Sequence, residues 1–206
     1  MKISLIVCTL GTRKFELNRL LESLNHQTYQ NFEVIIVSQL NHEVVSNIIS
    51  NYNFEINHIK SKTLGLSYNR NIGLKNANGY IVTFSDDDCW YPENSLDKVI
   101  NYFSNNKFLD VITFKIFDPI SQKFYKNYPL KNYKLSLLKT GKLSSIEIFC
   151  RRNFLTKNAI AFDINFGLGA KFPSGEENLF VANLIKAKAI IKYYPEIVVF
   201  HKIMDN

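Results

Sequence analysis

The sequence predicts an α/β protein built on a mostly parallel β-sheet that is flanked by helices. Short apolar runs of strand character alternate with stretches whose apolar residues recur at helical spacing through the first half of the chain. Three consecutive carboxylates, Asp86, Asp87 and Asp88, follow directly on one of these runs. Strands that alternate with helices form parallel sheets with right-handed crossovers, and such sheets bind ligands beside the carboxyl ends of their strands.

The first half is predicted to alternate strands and helices up to the aspartates. Residues 3–8 form a β-rich apolar run, and apolar side chains recur at helical spacing over residues 15–24. Further strands are predicted at residues 32–37, 55–60 and 80–85, and further helices at 43–51 and 66–76. The carboxylates thus come at the end of the fourth predicted strand.

The second half has a different rhythm. A helix is predicted at residues 93–105, a hairpin of strands at 111–117 and 123–128, and a Lys-rich helix within 126–142. A strand at 145–150, a helix at 176–186 and strands at 190–192 and 197–201 complete the pattern. The glycines at 167, 169 and 175 bracket a loop that is predicted to be mobile.

Size and composition exclude several classes of protein. The chain has 206 residues, of which 46% are hydrophobic, so it suits one domain with a sizeable core and does not fit a disordered class. Its 25 Lys and Arg against 18 Asp and Glu give a net charge of +7, which favours anionic partners such as sugar nucleotides or phospholipid surfaces. The positive charge is dispersed and no nucleic-acid recognition motif is present, so no nucleic-acid partner is expected.

The cysteines and the N-terminal sequence predict a cytoplasmic, soluble protein. Cys8, Cys89 and Cys150 share no CxxC spacing and adjoin apolar runs, which favours buried reduced thiols over disulfides or a zinc site. The sequence starts without a signal-type stretch, and no apolar run approaches the roughly 18 residues of a spanning helix. The lysines within residues 126–142 leave two interpretations open: a solvated helix face, or a stretch for acceptor binding or peripheral contact with the inner face of the membrane.

The aspartates themselves indicate a metal–diphosphate site. Two carboxylates one residue apart can hold a hard divalent cation, and Mg²⁺ held in this way completes its shell with water and substrate phosphates. The alternative is a solvated acidic turn. The apolar residues 89–92 that follow are unsuited to a free loop, and Pro92 with Glu93 predicts the first turn of a helix, so the metal site is favoured.

With these elements placed, the chain resembles glycosyltransferase family 2, whose members have the GT-A fold, a Rossmann-like sheet with a smaller acceptor-side β/α portion. The segments that carry the resemblance occur in the family's order and span nearly the whole chain. They are residues 3–9 with Arg13, then 23–29, 32–37, 65–74, 79–92, 166–177 and 194–201.

The resemblance implies an inverting, metal-dependent glycosyltransferase. Such an enzyme moves a hexosyl or N-acetylhexosaminyl group from a nucleoside-diphosphate sugar, here expected to be a UDP-sugar, to a hydroxyl of a saccharide or lipid-linked saccharide. The expected setting is the synthesis of bacterial surface polysaccharide or lipid-linked oligosaccharide. Residues 1–206 would form a single domain, with 1–92 as the half that binds the nucleotide sugar and 93–206 as the half that binds the acceptor.

The family's Asp-x-Asp metal motif falls on Asp86 and Asp88, which implies Mn²⁺ or Mg²⁺ as the cofactor. Asp88 is expected to bind the metal directly, and Asp86 to touch the ribose or a metal-bound water. Asp87 is expected to contact the nucleotide; alternatively, it is only a turn residue. His201 ends an apolar strand where many GT-A enzymes carry a metal ligand, and imidazole suits Mn²⁺ better than Mg²⁺; a structural histidine is the alternative.

The catalytic base is predicted at a pair of acidic residues. Glu176 and Glu177 match the family's acidic pair at a helix start, where the second position supplies the base, so Glu177 is assigned this role and Glu176 is the second candidate. Two acids in a first helical turn are also ordinary complements of the helix dipole.

Nucleotide contacts are expected from two further segments. Thr9, Leu10 and Arg13 lie in the first loop after a strand. The family's Arg-Asn pair falls on Arg70 and Asn71, where the arginine would meet the diphosphate or hold the metal loop; an exposed helical arginine is the alternative.

The sequence departs from the family pattern after the second strand. The family's usual aspartate is missing there, and Ser38 or Gln39 would have to contact the base. Trp90 is either a sugar-stacking residue or a packed core residue.

Two other functions compete with glycosyl transfer. A sugar-1-phosphate nucleotidyltransferase should carry a Gly-rich phosphate loop after the first strand, but residues 10–14 offer one glycine. A degenerate, non-catalytic nucleotide-sugar-binding module would explain the missing aspartate. The presence of Asp88 and Glu177 argues against it.

Overall fold

The computed structural model describes residues 1–135 and 143–203. One mixed sheet runs through this part of the chain in the order β3-β2-β1-β4-β9-β6-β10-β5, with β7 paired to β6 and β8 paired to β10. The strands are β1 (Ile3–Thr9), β2 (Phe32–Ser38), β3 (Ile56–Lys60), β4 (Ile81–Asp86), β5 (Cys89–Trp90), β6 (Val111–Asp118), β7 (Lys123–Phe124), β8 (Tyr133–Lys134), β9 (Ile148–Arg151) and β10 (Ile191–His201). The helices are α1 (Lys14–Asn25), α2 (His42–Ile49), α3 (Leu66–Asn76), α4 (Ser95–Asn105), α5 (Arg152–Lys157) and α6 (Glu176–Lys186).

The first four predicted strands form the parallel part of the sheet. β1 lies between β2 and β4 and is parallel to both, with Cys8 beside Val37 on one side and Asp86 on the other. Every residue of β1 and β2 is buried, because helices cover both faces of the sheet. The register places the ends of β1, β2 and β4 at one edge of the sheet, as predicted. Ligand binding at this edge remains a prediction.

Helix α3 approaches the sheet closely at Gly73. A Cβ atom at this position would lie 2.3 Å from Cγ2 of Ile6, which belongs to β1. Only a residue without a side chain allows this separation. The helix that carries Arg70 is therefore held tightly against the central strand.

The second half extends the same sheet with mixed polarity. β9 is antiparallel to both β4 and β6, and β6 is parallel to β10. The predicted hairpin is confirmed by the antiparallel pairing of β6 with β7. The two strands predicted near the end are one strand, β10, whose pairing with β6 shifts register between Tyr193 and Ile197.

The prediction of a Lys-rich helix is wrong for residues 126–135, the part of that segment which the structure describes. Residues 126–132 are not helical, and Tyr133–Lys134 form β8 against β10. Tyr133 packs on Tyr193 with ring centroids 5.1 Å apart, and the N–H of Leu135 donates to the carbonyl of Ile191 at 2.9 Å. This pairing with a sheet edge outweighs the helical spacing of the sequence. Lys139, Lys142 and the rest of residues 136–142 lie outside the described residues.

Smaller differences concern the ends of elements. α4 begins at Ser95, two residues after the predicted start, and a 3₁₀ turn at Ser145–Glu147 precedes β9. Helix α5 was not predicted.

The three cysteines are buried free thiols, as predicted. Among the helices of residues 1–135 and 143–203, none has the length and apolar character needed to cross a membrane.

Candidate active site

A cavity of about 540 Å³ opens at the edge where β1, β2 and β4 end. Residues from the first loop, the aspartate cluster, α3, the start of α6 and the end of β10 line it. The cavity brings together most of the predicted site residues, namely Thr9, Leu10, Arg13, Arg70, Asp86, Asp87, Asp88, Glu176, Glu177 and His201. The proposed metal and base residues therefore face one space.

Asp86, Asp88 and His201 form a group that fits a divalent cation. One potential ligand atom from each lies within 4.8 Å of those of the other two. The short strand β5 creates this group, because its antiparallel pairing with β10 sets Cys89 opposite His201. His201 Nε2 lies 3.2 Å from Asp88 Oδ1, and this buried oxygen has no hydrogen-bond partner within the described part of the chain. A buried carboxylate oxygen without a donor suits metal coordination.

The orientation of the His201 ring also suits metal coordination. Nδ1 of His201 lies 2.8 Å from the carbonyl of Lys202, which can only accept, so Nδ1 carries the proton. Neutral imidazole then keeps its lone pair on Nε2, the atom that faces Asp88. Burial lowers the pKa of His201, but the close approach and negative charge of Asp88 raise it overall. Burial likewise raises the pKa of Asp88, yet His201 and Arg13 outweigh burial and lower it.

Asp87 joins the aspartate loop to the first loop of the chain. It accepts a hydrogen bond from Thr9 Oγ1 at 2.6 Å and another from Arg13 Nη1 at 3.2 Å. Burial raises the pKa of Asp87, against the opposing effects of Thr9 and Arg13. The same Arg13 nitrogen donates to Asp88 Oδ2. Arg13 is half exposed and faces the cavity, so it is placed both to hold the loops and to meet an anion.

Arg70 lies at the centre of the carboxylates. Its side chain is only 3% exposed, so the alternative of an exposed helical arginine is wrong. Nη2 donates to Asp86 Oδ1 at 2.9 Å and to Ser145 Oγ at 2.7 Å, while Nη1 lies 3.6 Å from Glu176 Oε1 and 4.0 Å from Glu177 Oε1. The buried guanidinium of Arg70 thus links Asp86, a candidate metal ligand, to the acidic pair at the start of α6.

Glu176 and Glu177 differ in their surroundings, although both begin α6. Glu176 is buried. Glu177 is partly exposed in the cavity, and its Oε1 accepts from the amide and hydroxyl of Ser145 at 3.4 and 3.2 Å. Burial raises the pKa of Glu177; Arg70 opposes this, whereas the charges of Glu176 and Asp86 add to it. Glu177 is therefore the more accessible of the two carboxylates, and its own proton affinity is increased.

The glycine-containing loop before α6 packs against the start of α3. The carbonyl of Phe166 accepts from Ser67 Oγ at 2.6 Å, and the carbonyl of Leu168 accepts from the N–H of Leu66 at 2.9 Å. Gly167 has φ of 104°, and a Cβ there would lie 2.9 Å from Ser67 Oγ. The loop is thus anchored in this conformation; its movement on nucleotide binding remains a prediction.

Two predicted nucleotide contacts lie outside the residues that line the cavity. Ser38 is fully buried, and its hydroxyl lies 2.7 Å from His42 Nδ1 and 2.8 Å from His58 Nε2. The Asn71 side chain exchanges hydrogen bonds with the backbone of Phe162 at 2.8 and 2.9 Å. Gln39 does line the cavity. Its Oε1 accepts from the N–H of Gly65 at 2.8 Å.

The structure adds residues that the sequence did not single out. Ser145 connects Arg70 with Glu177, and Tyr125 packs its ring 5.2 Å from the imidazole of His201. Both reach the site only through long-range pairing of the second half, so no local pattern marks them. Trp90 is covered by the Arg19 guanidinium at 3.6 Å, which supports the packed alternative for this residue.

Replacement of Arg70 by alanine is expected to destabilise the fold. Removal of this buried cation would leave the buried carboxylate of Glu176 without its charge partner, which typically costs about 3–5 kcal/mol for a buried pair. It would also remove the hydrogen bond to the more exposed Asp86. Urea unfolding of Arg70→Ala would measure the loss. Lys75→Ala is the matched control, since it removes one positive charge from an exposed position of the same helix. Equal unfolding free energies for the two variants would contradict the central role of Arg70.

Comparisons with known proteins show the family of this chain and its fold. The sequence model described as Glycosyl transferase family 2 matches residues 4–162. Glycosyltransferase GlyA of Streptococcus pneumoniae is 28% identical over 185 residues, which cover 82% of this chain and 26% of GlyA. The minor teichoic acid biosynthesis protein GgaB of Bacillus subtilis is 27% identical over 164 residues, covering 74% of this chain and 18% of GgaB.

A solved structure shows the same fold. The structure of S. aureus TarS 1-349 in complex with UDP-GlcNAc matches with a TM-score of 0.78 and 22% identity, covering 100% of this chain and 60% of that one. This likeness confirms the GT-A fold. The chain spans about a quarter of the length of GlyA, so the relatives contain much sequence beyond the matched part.

Proposed function

We propose that this chain, which belongs to glycosyltransferase family 2, transfers a sugar from a nucleoside-diphosphate sugar to an acceptor hydroxyl. The observation that carries the proposal is the shared cavity. The same space is lined by the candidate metal ligands Asp86, Asp88 and His201 and by the accessible carboxylate of Glu177. Transfer requires both functions to act on one donor and one acceptor at the same time.

On the donor side, Asp88, Asp86 and His201 are the residues that would hold a divalent cation. When bound there, the cation supplies positive charge to the diphosphate that leaves the sugar. The imidazole ligand favours Mn²⁺ over Mg²⁺. Arg13, half exposed beside Asp88, is placed to hold a phosphate oxygen as well.

On the acceptor side, Glu177 takes the proton of the attacking hydroxyl. The acceptor oxygen forms the new bond to the anomeric carbon, the bond from that carbon to the diphosphate oxygen breaks, and the proton moves to the Glu177 carboxylate. Attack from the side opposite the leaving group inverts the anomeric configuration. Ser145, which donates to Glu177 Oε1, orients the carboxylate and leaves Oε2 for the acceptor.

The names of related proteins support a proposal for the sugar donor and for the biosynthetic role. TarS was solved with UDP-GlcNAc, which supports a UDP-sugar as donor. GgaB is named for teichoic acid biosynthesis, which supports a role in building a bacterial surface polysaccharide or a lipid-linked oligosaccharide. The buried free thiols support a reducing, cytoplasmic setting. Residues 1–92 would bind the donor, and residues 93–206, which supply Glu177, would bind the acceptor.

A direct test compares two reactions. The protein would be incubated with UDP-sugars, a panel of saccharide acceptors and either Mn²⁺ or Mg²⁺, and separately with nucleoside triphosphates and sugar 1-phosphates. Release of UDP from a UDP-sugar only when metal is present is expected. Release of pyrophosphate from a triphosphate would instead identify a nucleotidyltransferase, and nucleotide-sugar binding without turnover would identify a non-catalytic binding module.

The rate of transfer is expected to fall at acidic pH. Glu177 must be ionised to act as a base, and its raised pKa means that it becomes protonated at a higher pH than an ordinary glutamate. The rate should therefore be lost as pH falls through that raised pKa and be fully present above it. A kcat/KM profile would show the acid limb, with circular dichroism confirming that the protein stays folded. An acid limb at or below the ordinary glutamate range would contradict this assignment.

A further inference from the structure

Exposed leucines from three separate loops line the cavity where it meets solvent. Leu10, Leu64 and Leu168 all line it, and their exposed fractions are 41%, 54% and 67%. We call these three residues the apolar rim. Clustered apolar side chains that remain exposed beside a cavity are typical of an interaction site.

Hydrogen bonds join the three loops into one surface. The N–H of Leu66 donates to the carbonyl of Leu168 at 2.9 Å. Gln39 connects the first loop to the second, because its N–H donates to the carbonyl of Thr9 at 2.9 Å and its Oε1 accepts from the N–H of Gly65 at 2.8 Å. The apolar rim is therefore held together by the fold.

Further exposed side chains lie beside the rim and outside the cavity. Lys62 is two residues before Leu64, and Lys171 Nζ lies 5.3 Å from the ring centroid of the exposed Phe172. In the described part of the chain, Lys62, Lys171 and Phe172 are not among the residues that line the cavity. A nucleotide bound inside the cavity would thus leave these side chains available to a second partner.

The loops that carry the rim are positively charged. Residues 10–15, 60–64 and 164–172 contain no Asp or Glu, although Glu16 and Asp163 flank two of these ranges. The three ranges hold five basic residues, namely Arg13, Lys14, Lys60, Lys62 and Lys171. This surface is therefore complementary to an anionic partner.

Leucines beside lysines fit an anionic phospholipid surface. Apolar side chains enter the boundary between headgroups and acyl chains, while the long stem of a lysine keeps its ammonium group at the headgroups. A nucleic acid would pair with the lysines but leave the apolar rim in water. The combination of exposed leucines and positive charge thus favours a lipid surface over other polyanions.

We propose that the apolar rim, with Lys62 and Lys171 beside it, docks the chain on an anionic phospholipid surface. Docking would turn the opening of the cavity toward the bilayer and bring it to an acceptor that is anchored there. The inference goes beyond the proposed sugar transfer, because docking requires neither the donor nor a metal ion.

Vesicle binding tests this surface directly. The full chain would be sedimented with vesicles of phosphatidylcholine alone, or of phosphatidylcholine with phosphatidylglycerol, in the absence of nucleotide and metal. Binding to the mixed vesicles that weakens as salt is added is expected, with little binding to phosphatidylcholine alone. The double substitution Leu64→Ser and Leu168→Ser should weaken binding roughly tenfold or more, because it removes apolar burial. The double substitution Lys62→Ala and Lys171→Ala should weaken it roughly tenfold to thirtyfold.

The opposite edge of the sheet provides matched controls. Phe108 is 85% exposed, Lys107 is exposed, and both precede β6. β6 begins at the edge away from the cavity, because β9 is antiparallel to both β4 and β6. Phe108→Ser and Lys107→Ala should therefore bind vesicles like the wild type. The variant with both Lys62→Ala and Lys171→Ala should keep the wild-type dissociation constant of UDP, and thermal unfolding would confirm that each variant is folded.

The possible results separate lipid docking from its alternatives. Absence of binding to the mixed vesicles, or equal losses in the rim and control variants, would overturn the proposal. Binding that depends on the lysines but not on the leucines would indicate a contact with anions in general and would also overturn it. A dimer in solution that dissociates on Leu64→Ser and Leu168→Ser would instead assign the rim to a second copy of the chain.

The result for docking is independent of the result for transfer. Vesicle binding that depends on the rim, in a protein that releases no UDP from any UDP-sugar, would support docking and refute the transferase. Transfer to a water-soluble acceptor by a protein that binds no vesicles would support the transferase and refute docking.

Discussion

Glu177→Gln is expected to lower kcat of sugar transfer roughly 10²–10⁴-fold, the usual contribution of a general base. The amide keeps the shape of the side chain and its contact with Ser145, but it cannot accept the proton of the acceptor hydroxyl. The dissociation constant of the nucleotide should stay near that of the wild type, because Glu177 is placed on the acceptor side. Steady-state transfer kinetics and calorimetric titration with UDP measure the two quantities.

The neighbouring glutamate provides the matched control. Glu176 is buried and lies 3.6 Å from Arg70 Nη1, so Glu176→Gln should lower stability more than it lowers the rate per folded molecule. If Glu176→Gln alone abolishes transfer while Glu177→Gln remains active, the roles of the two carboxylates are reversed. Thermal unfolding of both variants separates a loss of folded protein from a loss of chemistry.

Asp88→Ala is expected to lower transfer roughly 10²–10³-fold, comparable to removal of a group that stabilises transition-state charge. The substitution removes a candidate metal ligand and the partner of both His201 and Arg13. Metal-dependent binding of UDP should be lost together with turnover. Titration with Mn²⁺, followed by electron paramagnetic resonance, measures the metal affinity directly.

Asp88→Asn distinguishes charge from shape at this position. It preserves the volume of the side chain while removing the negative charge, so it should bind Mn²⁺ nearly as weakly as the alanine variant. Unchanged Mn²⁺ affinity and unchanged turnover in Asp88→Asn would refute the assigned metal role. A normal circular dichroism spectrum is required of both variants.

The parallel half of the fold was predictable because its strands are buried on both faces. β1 and β2 therefore appear in the sequence as continuous apolar runs, and the helices between them keep a clear helical spacing. In the second half the pattern was ambiguous. Tyr133 and Leu135 fit either a helix or an alternating strand, and the choice was made by a distant edge, β10, which no local pattern reveals.

The same physical distinction applies to the site. Asp86 and Asp88 were predictable because Asp86 ends a strand and Asp88 comes two residues later, so local sequence fixes their place at the sheet edge. Glu177 begins a helix, and only the family resemblance indicated its role. Ser145 and Tyr125 reach the site through pairing and packing between distant segments, which the sequence pattern did not reveal. Ser38 shows the reverse case: it ends a strand as expected, but its hydroxyl is held inside by two histidines.

The proposed transfer requires that one cavity holds the cation and the diphosphate beside Asp88 while Glu177 faces the sugar. The most direct test is anomalous diffraction from crystals of Glu177→Gln grown with UDP and Mn²⁺. A single Mn²⁺ peak is expected among Asp86, Asp88 and His201, in contact with the diphosphate, with position 177 across the same cavity. A diphosphate bound elsewhere, or Mn²⁺ away from Asp88, would contradict the proposed transfer.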